Sequence, residues 1–442
     1  MRSLKNVHLT PGGEIEKRFA FTRIKEVYPG SVGLIEMQQK IYTFLPGGPF
    51  QNDPTDPIFD VGYIGLEAGH ISAILDHDLF DNQAFVIADT GGGLIQHFYN
   101  GALVPNAHGS FCRTYKTKMY AIDGSVLYFS AVGNAADWTG TGSGTIDLSL
   151  EDSDMGSLIA LEVYYNWLAV FSETSVQLWS IDPDPLQNQF QQTLHQAGTI
   201  APRSALQYGS GDVLYLAPDG IRSLRARNAS LAAAVSDIGS PLDPVIQDLF
   251  RTKGKAWLQP TISILQPVAG RFWIILPDRI YVLSDFPGPK ITAWSEYDPT
   301  DENGNPFTIT AAAMSQQRIY VRDDNDNVYV YGGNDPTGAM YDNCPVEIVF
   351  PYHPGAENLA ATFKKFHGLD AACQGEWDVY ASYDPTTEAE DYIGKLIGPT
   401  FLQGRLAMEG HSTHLSLRLR ATQPGPMLLS NMIVHYDLAE TG

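Results

Sequence analysis

A hairpin motif recurs six times along the chain and restricts its fold more than any other feature of the sequence. In each copy, two apolar runs rich in Val, Ile, Tyr and Trp flank a short turn of Gly, Asp, Pro or Asn, a pattern typical of a β-hairpin. The turn centres lie 32 to 59 residues apart, and a propeller blade takes about 40–50 residues. The turns are centred near residues 92, 124, 173, 219, 278 and 325.

The inner strands of these hairpins are apolar without alternation, as in residues 213–216 and 272–276. Such runs indicate strands that are buried on both faces, as when blades stack on one another. We therefore predict an all-β fold with a β-propeller of about six blades over residues 46–345. An array of β-sandwiches would give a similar pattern, so the periodicity alone leaves that alternative open.

One helix interrupts the strands. Ser240 and Pro241 resemble an N-cap followed by proline at the first helical position. An apolar stripe at helical spacing follows, and we expect it to pack on the outside of the propeller. The stripe consists of Leu242, Val245, Ile246, Leu249 and Phe250.

The character of the sequence changes near residue 345. Residues 375–384, 414–421 and 431–438 alternate apolar and polar side chains, which predicts a small antiparallel β-sandwich, or platform, over residues 346–442. We expect an N-terminal segment, residues 1–45, to join this platform.

The composition limits the compartment and the partners. The 442 residues carry a net charge of −22, and an acidic body of this kind disfavours tight binding to nucleic acid. No apolar run is long enough to span a membrane, and the first residues lack the apolar core of a signal peptide. Three widely spaced cysteines predict a reduced, cytoplasmic place of synthesis without a disulfide framework.

The charge is unevenly distributed. Residues 1–40 hold 7 Lys and Arg against 4 Asp and Glu, whereas residues 41–360 have a net charge of −21. The basic segment is expected either to dock onto an acidic neighbour or to form a solvated arm. The acidic body is compatible with the wall of a passage through which DNA slides without adhering.

Candidate metal and phosphate sites are weak. Two histidines three residues apart on a predicted strand point to opposite faces. An acidic turn resembles a calcium loop but lacks its glycine and its final glutamate, and a glycine-rich stretch has neither a following Lys-Ser/Thr nor a helix. These groups are His411 and His414, Asp323 to Asn327, and Gly140, Gly142 and Gly144.

Close carboxylate pairs occur at Asp76 and Asp78 and at Asp182 and Asp184. With 50 acidic residues in the chain, such pairs arise by chance, and we interpret them as solvated turns and not as a general acid and base. The sequence thus predicts no catalytic residue, no cofactor and no metal site, and we expect a protein that is not an enzyme.

Several segments resemble the tail nozzle proteins of short-tailed bacteriophages, which include the packaged-DNA stabilisation proteins. The segments are residues 4–18, 127–138, 159–181 and 191–225, and the platform from Lys364 onward. Within 191–225 the similar signature is Gly198, Ala201, Pro202, Arg203, Ser204, Asp219 and Gly220.

The resemblance implies a propeller whose smaller platform is built from both ends of the chain. It also implies a homohexameric ring at the distal end of a virion tail, below a tail adaptor ring, with tail fibre or spike proteins as further candidate partners. Such a head-to-tail ring retains packaged double-stranded DNA and conducts it during ejection, without tight binding and without inserting into a membrane. The alternative is a propeller that binds or degrades glycans, and a third interpretation is a monomeric scaffold that binds peptides.

Overall fold

The structure is a computed structural model that describes residues 3–152, 155–209, 211–229, 237–355, 360–387 and 389–438. Four short strands open the chain, and they serve both domains. The first three belong to the platform, and the fourth belongs to the propeller. They are β1 (Ser3–Lys5), β2 (Val7–Leu9), β3 (Ile15–Lys17) and β4 (Phe21–Glu26).

Four four-stranded sheets follow, each forming one blade of a propeller. Blade 1 comprises β5 (Val32–Met37), β6 (Lys40–Pro46), β7 (Phe50–Asn52) and β8 (Gly62–Leu66), and blade 2 comprises β9 (Ala73–Phe80), β10 (Gln83–Asp89), β11 (Ile95–Tyr99) and β12 (Ala102–Leu103). Blade 3 comprises β13 (Phe111–Tyr115), β14 (Lys118–Asp123), β15 (Val126–Phe129) and β16 (Gly144–Asp147), and blade 4 comprises β17 (Leu158–Tyr164), β18 (Trp167–Ser172), β19 (Ser175–Ser180) and β20 (Gln189–His195).

Blade 5 has three strands, and helices follow its last strand. It comprises β21 (Leu206–Tyr208), β22 (Asp212–Ala217) and β23 (Gly220–Ser223), with α1 (Leu224–Ala229), α2 (Asp243–Lys253) and α3 (Lys255–Leu258). Blade 6 comprises β24 (Ile262–Gln266), β25 (Arg271–Ile275), β26 (Ile280–Phe286) and β27 (Ile291–Tyr297), and blade 7 comprises β28 (Ile309–Ser315), β29 (Arg318–Asp323), β30 (Asn327–Tyr331) and β4. Short 3-10 helices lie at Leu148–Leu150, Pro185–Gln187, Pro202–Ser204 and Ser240–Leu242.

The seven blades close into a ring, which confirms the predicted propeller. The first strands of consecutive blades pack against one another around the axis, and β28 of blade 7 packs on β5 of blade 1. The N-terminal strand β4 completes blade 7 by pairing with β30, with Phe21 opposite Tyr331. The start of the chain therefore holds the last blade in place and closes the ring.

The six hairpins recognised in the sequence are the centres of blades 2 to 7, and blade 1 lacked such a signal. In blade 1 the strands β6 and β8 are parallel, and β7 pairs on the outside of β8. The longer segment between β6 and β8, which contains β7, replaces the tight hairpin turn of the other blades. The ring consequently has seven blades where the repeats indicated about six.

Helix α2 packs on β23, the strand that ends the short blade 5. The buried stripe runs through Leu242, Ile246 and Leu249, whereas Val245 is 37% exposed. Ser240 does not cap the helix, because Ser240–Leu242 forms a 3-10 turn and α2 begins at Asp243 without a side-chain cap. The helix thus covers the propeller from outside, as expected.

The C-terminal strands form the platform, a sandwich of two sheets. Its strands are β31 (Val346–Val349), β32 (Lys364–Gln374), β33 (Trp377–Ser382), β34 (Asp391–Leu396), β35 (Leu406–Ser412), β36 (Ser416–Ala421) and β37 (Leu428–Leu438), with helix α4 (Thr400–Gln403). One sheet has the order β1-β31-β36-β33-β34 and continues into blade 6 through β27, and the other has the order β2-β3-β37-β32-β35. Buried Trp377, Leu369 and Leu419 lie in the core between them.

The basic N-terminal segment is folded into both domains and is not a solvated arm. Its cations pair with acids elsewhere in the chain: Lys5 lies 3.1 Å from Asp298, and Lys25 lies 2.5 Å from Asp60. The positive charge of this segment is thereby neutralised within the protein. Strands β1–β3 join the platform, whereas β4, β5 and β6, within residues 21–46, are blade strands.

Candidate functional site: acidic rim and axial cavity

In six of the seven blades, an acidic residue lies in the turn between the second and third strands or at the end of the second strand. These turns lie on one side of the propeller, because each blade begins at the axis with a strand that runs in the same direction. We call the set the acidic rim. It comprises Asp89, Asp123, Glu173, Asp219, Asp278 and Asp324, of which all but the half-buried Asp89 are exposed.

Half of the acidic rim is neutralised by neighbouring cations. Glu173 lies 2.5 Å from Lys255, Asp219 lies 2.8 Å from Arg222, and Asp278 lies 2.8 Å from Arg279. The other three, Asp89, Asp123 and Asp324, have no ion pair within the described part of the chain. Asp89 instead accepts a hydrogen bond from the backbone of Gly91 at 2.8 Å.

The turns between the first and second strands lie on the opposite side of the propeller. There, the first and second strands of four blades are joined by two-residue turns in which both residues have positive φ, the conformation of type I′ turns. These turns contain one acid and one base, so they carry no net charge. They are Gln38–Gln39, Asp81–Asn82, Lys116–Thr117 and Gln316–Gln317.

A cavity of about 700 Å³ lies along the propeller axis and opens on the side of the acidic rim. Most of its charged side chains are engaged with other groups of the protein. Arg322 donates to the backbone oxygen of Ser31 and to the hydroxyl of Thr43, and it pairs with Asp326 at 2.5 Å. The remaining charged or titratable lining groups are Asp76, His77, Arg113, Arg203, Asp323 and Asp324.

The interpretation of Asp76 and Asp78 as a solvated turn is wrong, because both residues lie on strand β9 and Asp76 is buried. The pair instead joins two blades. Asp76 accepts the backbone N–H of Cys112 at 2.9 Å, and Asp78 accepts that of Thr114 at 2.6 Å. Both donors belong to β13, the first strand of the next blade. Burial raises the pKa of Asp76 to about 6, because a low-dielectric environment disfavours the charged carboxylate.

An ion pair holds the boundary between blades 3 and 4 together. Arg113 on β13 donates to the carboxylate of Glu162 on β17 at 3.0 Å, and Glu162 is buried. Burial raises the pKa of Glu162 although Arg113 opposes that shift. Two successive boundaries around the cavity are therefore closed by charged side chains.

Residues of the phage-like signature fall at the boundary of blades 4 and 5. Ser204 donates its hydroxyl hydrogen to Ala201 and accepts the backbone N–H of Leu216 at 3.0 Å, which fixes the 3-10 turn. Arg203, in the same turn, lines the axial cavity, and burial lowers its pKa whereas Asp76 raises it. Sequence reasoning singled out Arg203 but did not place it in a cavity.

The acidic turn at 323–327 binds its own backbone. Asp323 accepts the N–H groups of Asn325 at 2.9 Å and Asn327 at 2.7 Å, and also the hydroxyl of Tyr329. Its carboxylate oxygens thus already have donors. Within the described ranges, no cluster of three or more His, Cys, Asp or Glu side chains is arranged to hold a metal ion.

The other sequence candidates do not converge on a site. His411 lies exposed on β35, whereas the ring of His414 contacts the hydroxyl of Thr413 in the following turn. Asp184 accepts the backbone N–H of Leu186 at 3.1 Å and caps a 3-10 helix. Gly140 lies against Asp137 in a loop.

Comparisons with known proteins add little. No protein-family profile matches the sequence, and no curated protein matches it. Solved structures with similarity include the Pan2 WD40 domain of Neurospora crassa (9% identity, 73% of this chain and 97% of that one, TM-score 0.42). BamB of Moraxella catarrhalis is 10% identical over 70% of this chain and 99% of that one, with a TM-score of 0.37. The computationally designed protein Ika8 is 12% identical over 71% of this chain and 99% of that one, with a TM-score of 0.39.

These scores are too low to support any conclusion about function. The propeller is instead evident from the closed ring of seven sheets. In the described part of the chain, no helix is both long enough and apolar enough to cross a membrane.

Proposed function

We propose that this chain is a structural protein of a virus particle, the tail nozzle subunit of a short-tailed bacteriophage. Six copies form a ring at the distal end of the tail, below a tail adaptor ring. The ring retains packaged DNA and conducts it during ejection. The protein is assembled in the host cytoplasm and acts as a conduit and not as an enzyme.

The acidic rim carries this proposal. It places one acid at each of six blades on a single side of the propeller, around the mouth of the axial cavity, whereas the two-residue turns of the opposite side carry no net charge. A surface of this kind repels phosphate and gains nothing from counterion release, so DNA passes without adhering. The sandwich built from both ends of the chain provides a second supporting feature, since the resemblance implies such a platform.

The proposal is tested on purified full-length protein by light scattering and by retention of double-stranded DNA. We expect a species of six subunits of 48.5 kDa that does not retain DNA at low salt. The triple variant Asp89→Lys, Asp123→Lys, Asp324→Lys is expected to retain DNA, because the rim then attracts phosphate.

The matched control carries the same change of charge on the platform: Glu376→Lys, Asp384→Lys, Asp391→Lys. If this control retains DNA as well as the rim variant does, the position of the acids is irrelevant and the conduit proposal loses its support. Retention of DNA by the unmodified protein at physiological salt would also contradict it.

The axial cavity favours one alternative function, binding or cleavage of a glycan. Its volume of about 700 Å³ falls in the range of small-ligand sites, and it is lined by several acids and arginines. A screen of oligosaccharides for binding and cleavage tests it. Binding that is abolished by Arg203→Met would favour the glycan-binding alternative over the nozzle.

A further inference from the structure

Strand β37 of the platform has one long edge without a neighbouring strand. On one side, β32 pairs with β37 along its whole length. On the other side, β3 reaches only Leu428 and Leu429. Throughout the chain as described, no strand pairs with residues 430–438 on that side, which leaves a row of backbone donors and acceptors free.

An apolar groove runs alongside this edge. It has a volume of about 440 Å³ and lies between the two sheets of the platform. Phe350, Leu415 and Leu417 line it from one sheet, and Met432, Val434 and Tyr436 line it from β37. An added strand would therefore find both backbone partners and a place for apolar side chains.

The edge carries little of the protection with which proteins normally prevent strand pairing. Residues 430–438 contain neither proline nor lysine, the residues that most often protect an edge. Two residues that can carry charge lie on the same face as Ile433 and pair with side chains of β32: His435 lies 2.8 Å from Asp370, and the exposed Asp437 lies 3.8 Å from His367. On the outer face, Ile433 is 41% exposed.

The same sheet ends at its other side in a second free edge. Among the described residues, strand β35 pairs only with β32, and its outward residues Ala407, Glu409 and His411 are exposed. Both β35 and β37 are antiparallel to β32, so they run parallel to each other. The seven residues of β35 fit within the nine free residues of β37.

We propose that the free edge of β37 binds β35 of a second copy of this chain, in parallel orientation. One five-stranded sheet then continues into the next across the two free edges. Because the two edges differ, the contact is head-to-tail, and repetition closes a ring when the rotation permits. The closure into a ring of six rests on the proposed function.

A two-fold pairing of β37 with β37 is the competing arrangement. It would be antiparallel, would end at a dimer, and would leave both β35 edges free. A self-complementary contact brings the same residue of two copies together, whereas a head-to-tail contact brings two different residues together. This difference decides between the two arrangements.

Cysteine cross-linking distinguishes the two arrangements. Ile433→Cys is combined in three separate double variants with Ala407→Cys, Glu409→Cys or His411→Cys, and each protein is oxidised. Adjacent strands lie about 4.8 Å apart, within reach of a disulfide, and the native Cys112, Cys344 and Cys373 are buried. We expect a ladder up to the full ring in at least one double variant and none in the single variants.

A covalent dimer of the single variant Ile433→Cys would overturn the head-to-tail contact in favour of the two-fold pair. A six-subunit ring without cross-links in any double variant would overturn the edge contact and leave the nozzle proposal intact. A monomer without cross-links would overturn the edge contact as well, while DNA retention by the rim variants would still test the conduit independently.

A charge on the edge gives a second measurement. Ile433→Lys adds an edge-protecting cation at an exposed position, and we expect it to weaken assembly about tenfold or more per contact. Leu186→Lys, at a residue that is 89% exposed on blade 4, is the matched control and should assemble normally. Equal assembly of the two variants would contradict a contact at β37.

Discussion

The guanidinium of Arg18 lies 3.1 Å from the carboxylate of Asp342, and both side chains are completely buried. Arg18 links the last platform strand of the N-terminus to the first propeller strand, and Asp342 lies between the last blade and the platform. The same Arg18 donates to Asn6 at 3.1 Å and to Thr300 at 2.5 Å. The junction of the two domains is thus held by buried charge and hydrogen bonds.

Substitution of Asp342 is expected to lower the stability of the protein strongly. Asp342→Ala leaves Arg18 as an uncompensated buried cation, and we expect a loss of about 3–5 kcal/mol in the free energy of unfolding. Urea denaturation followed by tryptophan fluorescence measures it. The control Asp248→Ala removes an exposed partner of Arg251 and should change stability by less than about 1 kcal/mol. Similar losses for both variants would show that the junction does not depend on this pair.

Substitutions in the two-residue turns should stabilise the protein, in contrast to the substitution of Asp342. Gln38 and Gln39 both have positive φ and are exposed, and this conformation disfavours side chains other than Asn and Gly. Gln38→Asn with Gln39→Gly should therefore stabilise the protein by about 1 kcal/mol or more. The control Gln191→Gly, exposed in strand β20, should destabilise it. Thermal unfolding compares the two, and a loss of stability in the double variant would contradict the turn assignment.

The repeated hairpins made most of the fold predictable, because a tight turn and its flanking apolar runs are local in sequence. Blade 1 escaped detection since β6 and β8 pair in parallel across an excursion, and no local turn marks that pairing. The two-residue turns also escaped, because Gln38–Gln39 does not have the composition of a type I′ turn.

The candidate site was predictable only in part. The acids of the hairpin turns are visible in the sequence. That they lie on the same side of the propeller becomes evident only once the blades are arranged in a closed ring. Asp76 and Asp78 are also evident in the sequence, yet their partners are backbone N–H groups of the next blade. Such contacts depend on tertiary structure and leave no local signal.

The buried carboxyl of Asp76 should make stability depend on pH. Its pKa is raised from 3.8 to about 6 by burial, so the unfolded chain loses this proton at a lower pH than the folded protein does. The stability that Asp76 contributes is therefore complete below about pH 4 and is lost as the pH rises to about 6. The loss amounts to at most about 3 kcal/mol.

This dependence is measured as the difference in unfolding free energy between the unmodified protein and Asp76→Asn from pH 4 to pH 7. The difference should decline as the pH rises and become constant above pH 6. The control is Asp147→Asn, since hydrogen bonds from Ser149 lower the pKa of Asp147 and its contribution is lost as the pH falls. A flat difference for Asp76→Asn would mean that its carboxyl is not held in a low-dielectric site.

Gly198 opens the signature that resembles the phage proteins, and close packing explains the glycine. A Cβ atom at this position would lie 2.2 Å from the carbonyl carbon of Glu173, which belongs to the backbone of the rim turn in blade 4. Since no side-chain movement can relieve that contact, Gly198→Ala should destabilise the protein by about 3 kcal/mol. The control Gly288→Ala meets no atom within 4 Å and should be nearly neutral. Urea denaturation of both variants measures the difference, and a stable Gly198→Ala protein would show that the turn at Glu173, and with it this part of the acidic rim, is free to move.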